Sequence, residues 1–167
     1  MAQQMALEIV TDNMPKLAKG LKQLAGTSVE VGVPAAKGTR KGAGGTEEIN
    51  NAALAYIHDN GSPAMNIPAR PFMQPGINDG KAEITRRMAQ AGDAALDGRD
   101  PLPALNAVGL VAQNHIRARI NDNTPPPLQP ATIAARKRRG ITTTRTLVVT
   151  GKLRNSISYV VIQGRKS

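Results

Sequence analysis

The sequence predicts an α+β domain: a small antiparallel sheet packed against long amphipathic helices, with a projecting proline-rich basic arm. Three observations carry this reading. Val29, Val31 and Val33 alternate with Glu30 and Gly32, and Ile157, Tyr159 and Val161 alternate with Ser158 and Val160, the period-two pattern of strands with one covered face. Leu105, Val108, Ala112, Ile116 and Ile120 recur every three or four residues, as they do on a helix able to cover that sheet. After Asp122 the composition changes, with Pro125-Pro126-Pro127 leading to Arg136-Lys137-Arg138-Arg139. These shifts divide the chain into a body over 1–122, an arm over 123–146, and a turn and strand over 147–167 that return to the body sheet.

The remaining elements follow in chain order. Leu7 and Ile9 alternate with Glu8 and Val10, which predicts a short strand over Met5–Asp12. Asn13-Met14-Pro15 suits a helix start, because proline in the first turn gives up only an N–H that has no partner there. Leu17, Leu21 and Leu24 mark the core face of that helix, and Gly26 ends it. Ala35–Gly45 is glycine-rich and reads as a loop. Thr46 is placed to cap a helix, with Glu47 and Glu48 at its positive end and Ile49, Ala53, Tyr56 and Ile57 as its core face. Asn60-Gly61 terminates it. Four prolines, at 63, 68, 71 and 75, forbid a continuous helix over Ser62–Pro75. Ile84, Met88, Ala91 and Ala95 form the stripe of a single helix from Gly76 to Leu96, and Asp100-Pro101 opens the next one. Asn123 and the triple proline stop that helix and run on as a stiff extended segment. A short basic helix is expected over Pro130–Arg139, closed by Gly140, and Thr150-Gly151 starts one further helical turn.

A chain of 167 residues can bury a core large enough to fold alone, but this core must be thin in aromatics: Tyr56, Phe72 and Tyr159 are the only ones. Neighbouring subunits often complete such a core. The absence of Cys excludes disulfides, Cys-ligated zinc, iron–sulfur clusters and thiol catalysis. The opening MAQQMALEIVTDN alternates and carries acids, unlike an apolar leader, so the expected site of synthesis is the cytoplasm and no membrane is expected as a partner. The net charge of +10 is unevenly spread. Up to Asp122 there are 13 Lys+Arg against 12 Asp+Glu, and from Asn123 to Ser167 nine Lys+Arg and no acid. An anionic partner is one reading of that quarter, nucleic acid or an acidic protein surface; a solvated basic tail is the other.

Residue patterns for chemistry are sparse. In the glycine-rich loop Lys41 precedes Gly42, not the Ser or Thr that a phosphate-cradling loop places before its helix, and no GxGxxG occurs. A phosphate-handling enzyme therefore lacks its motif. His58, at a helix end in HDNG, and His115, beside the long helix stripe, show no metal-ligand spacing. Asp93 and Asp97, one turn apart, have the spacing to hold a cation, but solvated surface charges are the expected reading. No nucleophile–base–acid set can be argued from spacing, so neither enzymatic activity nor a cofactor or metal is expected. In Ile67-Pro68-Ala69-Arg70-Pro71-Phe72 two prolines fix the backbone and aim one Arg. Either Phe72 plugs the core and Arg70 pairs locally, or Arg70 crosses a subunit interface, where arginine is enriched. Arg136–Arg139 suits phosphate contacts, though no aromatic interleaves it for base stacking.

Several segments together resemble the tail-completion, or neck, proteins of tailed bacteriophages. They are Val29-Glu30-Val31-Gly32-Val33-Pro34, Ala55-Tyr56-Ile57-His58-Asp59-Asn60-Gly61 and Ile67-Pro68-Ala69-Arg70-Pro71-Phe72-Met73. Pro127-Leu128-Gln129-Pro130-Ala131-Thr132-Ile133 and the ending Leu147-Val148-Val149-Thr150-Gly151-Lys152-Leu153-Arg154-Asn155-Ser156-Ile157-Ser158-Tyr159 resemble the Mu-like branch of that family. Relatives often carry an acid just before the Thr-Gly pair, where this chain has Val149. The resemblance implies a non-catalytic virion subunit, made in the host bacterial cytoplasm, whose copies form a homo-oligomeric ring, a hexamer, at the head–tail junction. Its partners would be head-closure or adaptor proteins and tail terminator or tube proteins, with phage DNA passing through the lumen. The residues expected to carry assembly are Arg70, Phe72, Leu128, Ile133, Arg136, Lys137, Arg138, Arg139 and Arg145. Because like charges repel, the arm is expected to meet acidic surfaces of neighbouring subunits or neck proteins, with DNA as the competing anion. The alternative class is a nucleic-acid-binding protein that uses the basic quarter.

Overall fold

The computed structural model of the chain describes residues 12–34, 39–41 and 48–164, and the fold is α+β. Its elements run α1 (Met14–Ala25), β1 (Thr27–Gly32), β2 (Thr39–Lys41), β3 (Glu48–Asn50) and α2 (Asn51–Asn60), then α3 (Met73–Asp79), α4 (Lys81–Leu96) and α5 (Leu102–Asn121). A short α6 (Pro130–Arg138), a one-turn α7 (Lys152–Ser156) and β4 (Ser158–Gln163) complete it. β1 and β4 are antiparallel, with Val29 opposite Val161 and Val31 opposite Tyr159. Residues directly opposite share a face, so these four apolar side chains lie together, while Glu30 and Val160 take the other side. α5 packs across the sheet, as its stripe requires, and all five stripe residues are buried. The fit is close: a Cβ at Gly109 would overlap the Tyr159 ring, so the helix approaches the sheet only because that position has no side chain.

The main core lies at the other end of α5. Phe72, Ile116, Ile120, Leu147, Leu153 and Ile157 form a buried cluster, ringed by Val31, Val33, Met73, Ile77 and Val148. Arg117 locks this end by donating from Nη2 to the Ile157 carbonyl at 2.7 Å. On the far side, α1 packs on α4 through small residues. A Cβ at Gly20 would overlap the Ala95 carbonyl oxygen, and Ala91, Ala94 and Ala95 are buried. This close approach explains why Leu21 and Met88, both expected in the core, are exposed: at the line of contact there is room only for Gly and Ala.

Four further expectations are corrected. The glycine-rich loop contains β2, which pairs antiparallel with β3, and α2 starts at Asn51 rather than at Thr46. Asn50 Oδ1 caps the helix by accepting from the Ala53 N–H at 2.7 Å, because the residues before it are extended in the ribbon. Thr46 and Glu47 lie outside the described residues, as does the strand expected near the N-terminus except for Asp12. Tyr56 is 70% exposed, and Ala55 holds the core position instead. The helix expected over Gly76–Leu96 is two helices, broken at Gly80, where a Cβ would sit 2.6 Å from the His115 ring. His115 thus fills the break, with Nε2 3.8 Å from Glu83 Oε2.

Candidate functional site

The segment joining α2 to α3 folds into a clasp. Gly61, at φ +79°, reverses the chain, and a Cβ there would meet the Ala69 nitrogen at 2.7 Å. Ser62 and Ile67 bridge as an antiparallel pair, and the Arg70 N–H donates to the His58 carbonyl at 2.8 Å. Asp59 holds the far end: its Oδ1 accepts from the backbone N–H groups of Phe72 (2.7 Å) and Met73 (3.0 Å), capping α3 from thirteen residues upstream. Asp59→Ala is expected to cost about 1–2 kcal/mol, and Asp59→Asn, which keeps an acceptor, only a fraction of that. Urea unfolding of the two variants checks this.

The arm is clipped at its base. Asn123 Oδ1 accepts from the Thr146 N–H (2.8 Å), and the Thr146 hydroxyl donates to the Thr124 carbonyl (2.9 Å). The chain bends at Pro125 and Pro126, whose peptide bond is cis, instead of running straight outward. Arg70 holds it there, with Nε donating to the Pro126 carbonyl at 2.9 Å and Nη2 to that of Pro127 at 3.4 Å. Arg136, in the last turn of α6, does the same for the return path. Its Nη1 donates to the carbonyls of Thr143 (3.2 Å) and Arg145 (2.7 Å), and its Nη2 to that of Thr146 (3.3 Å). Main-chain carbonyls hold this basic segment: Arg70 ties its start to the body, and Arg136 ties its outgoing and returning limbs together. An arginine offers five donors, and carbonyl oxygens accept two hydrogen bonds from Arg70 and three from Arg136 without a counter-charge.

Between clasp and arm lies a cleft of about 610 Å³, lined among others by Arg70, Arg136, Leu128, Gln129 and Thr132. Burial, and next the positive charge of Arg136, lower the pKa of Arg70; burial lowers that of Arg136. Among the described residues no carboxylate lies within ion-pair distance of either guanidinium.

The residues expected to carry assembly therefore divide. Phe72 is wholly buried in its own chain's core. Arg70 is only 6% exposed, and the bonds just described are all within the chain. It is a clip between loop and arm, neither a salt bridge nor a free side chain. Leu128 is half-buried in the cleft wall, and Ile133, 38% exposed, stands on α6. Lys137, Arg138, Arg139 and Arg145 are exposed. α6 buries no side chain at all. A nine-residue helix is below the ~12–15 residues at which isolated helices become even marginally stable, so the bonds of Arg136 to the return path are what hold it.

The structure separates the remaining candidates. His58 lines the cleft, whereas His115 sits at the α3–α4 break. Asp97 pairs with Arg99 at 2.7 Å on the surface, and among the described residues no group of three His, Asp or Glu side chains is placed to hold a metal ion. Asp59, Asn123 and Thr146 escaped sequence reasoning. Asp59 lies in a motif read only as a helix end, and Asn123 in one read only as a stop signal. Searches of protein-family models, curated proteins and solved structures return no match to this chain.

Proposed function

We propose that this protein is a non-catalytic structural subunit of the neck of a tailed phage, whose copies form a ring at the head–tail junction and join tail to head. One observation supports this above the rest. The segments on which the family resemblance rests are scattered over some 130 residues of sequence, yet they meet in space. Val31, Val33, Ala55, Phe72, Met73, Leu147, Val148, Leu153 and Ile157 share one core, and the IPARPF loop grips the start of the PLQPATI segment through Arg70. The segments thus form one structural unit, as a shared role in assembly requires. The outer face of α6, unpacked and basic, is the natural contact for head-closure or tail proteins.

The nucleic-acid reading draws on Lys137, Arg138 and Arg139, exposed and without a nearby acid among the described residues. Their position in and just after the last turn of α6 also places them where the helix dipole favours cations, a local reason that requires no DNA. Deleting the gene from the phage that carries it tests the proposal. Filled heads and complete tails should accumulate unjoined, and normal joined particles would refute it.

A further inference from the structure

We propose that the cleft between clasp and arm is a carboxylate-binding site that takes an acidic side chain, flanked by apolar residues, from an adjoining protein of the assembly. Only the source of that carboxylate rests on the neck reading. Arg70 and Arg136 line the same cavity of about 610 Å³ without a counter-charge among the described residues. Their bonds to carbonyls leave Nη1 of Arg70 and Nε of Arg136 without a protein acceptor among those residues. Carbonyl dipoles fill donor positions but do not cancel two positive charges held near one another, partly out of water. A carboxylate does both, because it carries a negative charge and two accepting oxygens for the donors that remain.

The walls define the rest of the ligand. Asn66, Gln129 and Thr132 add neutral polar groups, while Ile67, Pro68 and Leu128 form an apolar side, which suits a peptide better than a bare ion. A nucleic-acid phosphate fits less well. The lining holds no Phe, Tyr or Trp on which a base could stack, and Lys137, Arg138 and Arg139, which would guide a phosphate chain, are outside it. Burial already pushes both arginines below their ordinary pKa, so an anion entering the cleft would relieve a standing electrostatic cost.

The test is a titration of the full chain with acetyl-Leu-Glu-Leu-amide, its Gln counterpart and inorganic phosphate, following the Nε–Hε resonances of Arg70 and Arg136. The Glu peptide should shift both and saturate, the Gln peptide should shift neither, and phosphate should require higher concentrations than the Glu peptide. Arg86→Gln, on the exposed face of α4, should bind like the parent and Arg136→Gln about tenfold more weakly. Because Arg136→Gln also releases the Thr143–Thr146 backbone, Thr132→Glu supplies the independent check. It places a carboxylate on the cleft wall and should both block the peptide and raise the melting temperature. Equal shifts with the Gln peptide, saturation by phosphate below the Glu peptide, or a Thr132→Glu protein that binds as before or melts lower would overturn the proposal. A chain that binds the Glu peptide but forms no ring keeps the cleft and removes the neck reading; a ring that ignores the peptide does the reverse.

Discussion

Phe72→Ala is expected to lose about 3–5 kcal/mol of stability, the range for truncating a fully buried aromatic side chain. Phe72 is 0% exposed and is the only aromatic residue in the main core cluster, so the aliphatic residues around it have no other large group to close on. Its backbone N–H is held by Asp59 at 2.7 Å, which resists the shift that would collapse the cavity. Domain stabilities are about 5–15 kcal/mol, so this loss is a large fraction of the total. Urea denaturation followed by far-UV circular dichroism measures the loss. A change below about 1 kcal/mol would mean that the clasp, not the ring, carries the packing.

Arg70→Ala is expected to release the arm. Among the described residues the guanidinium is the only side chain that holds the Pro126 and Pro127 carbonyls, and hydrogen bonds to charged donors are worth about 1.5–3 kcal/mol each before the relief of its own burial is subtracted. The net loss should be about 1–3 kcal/mol, concentrated in the arm. Trypsin should then cut at Arg136–Arg139 many times faster than in the parent protein, while the α5–sheet core stays protected. The effect falls on stability because burial and both hydrogen bonds place the side chain within one chain. An unchanged cleavage rate would show that the Asn123–Thr146 clip holds the arm alone.

Legibility in the sequence followed the range of the interactions. The β1–β4 pairing and the α5 stripe were readable because period-two and 3.6-residue patterns are local and each demands one covered face. α6 and α7 were readable from Pro, Gly and Thr-Gly punctuation. The break at Gly80 was not, because it depends on His115 arriving from another helix to fill it. Leu21 and Met88 misled for a related reason: a helix face looks apolar whichever partner it meets, and here the partner comes close enough to select Gly20 and Ala95 instead. At the candidate site, Arg70 and Arg136 stood out as charges in rigid surroundings. Their acceptors are backbone carbonyls 56 and 57 residues away for Arg70 and 7, 9 and 10 residues away for Arg136, and carbonyls leave no mark in a sequence. Asp59 was hidden in the same way, because its cap is placed by a reversal at Gly61 rather than by spacing.

Native mass spectrometry of the purified full chain most directly tests the claim that this protein is a ring-forming structural subunit. The account predicts a single closed oligomer of identical copies, since head-to-tail contacts that close leave no intermediate sizes favoured. A chain that remains monomeric at every concentration, or that oligomerises only when DNA is added, would contradict it.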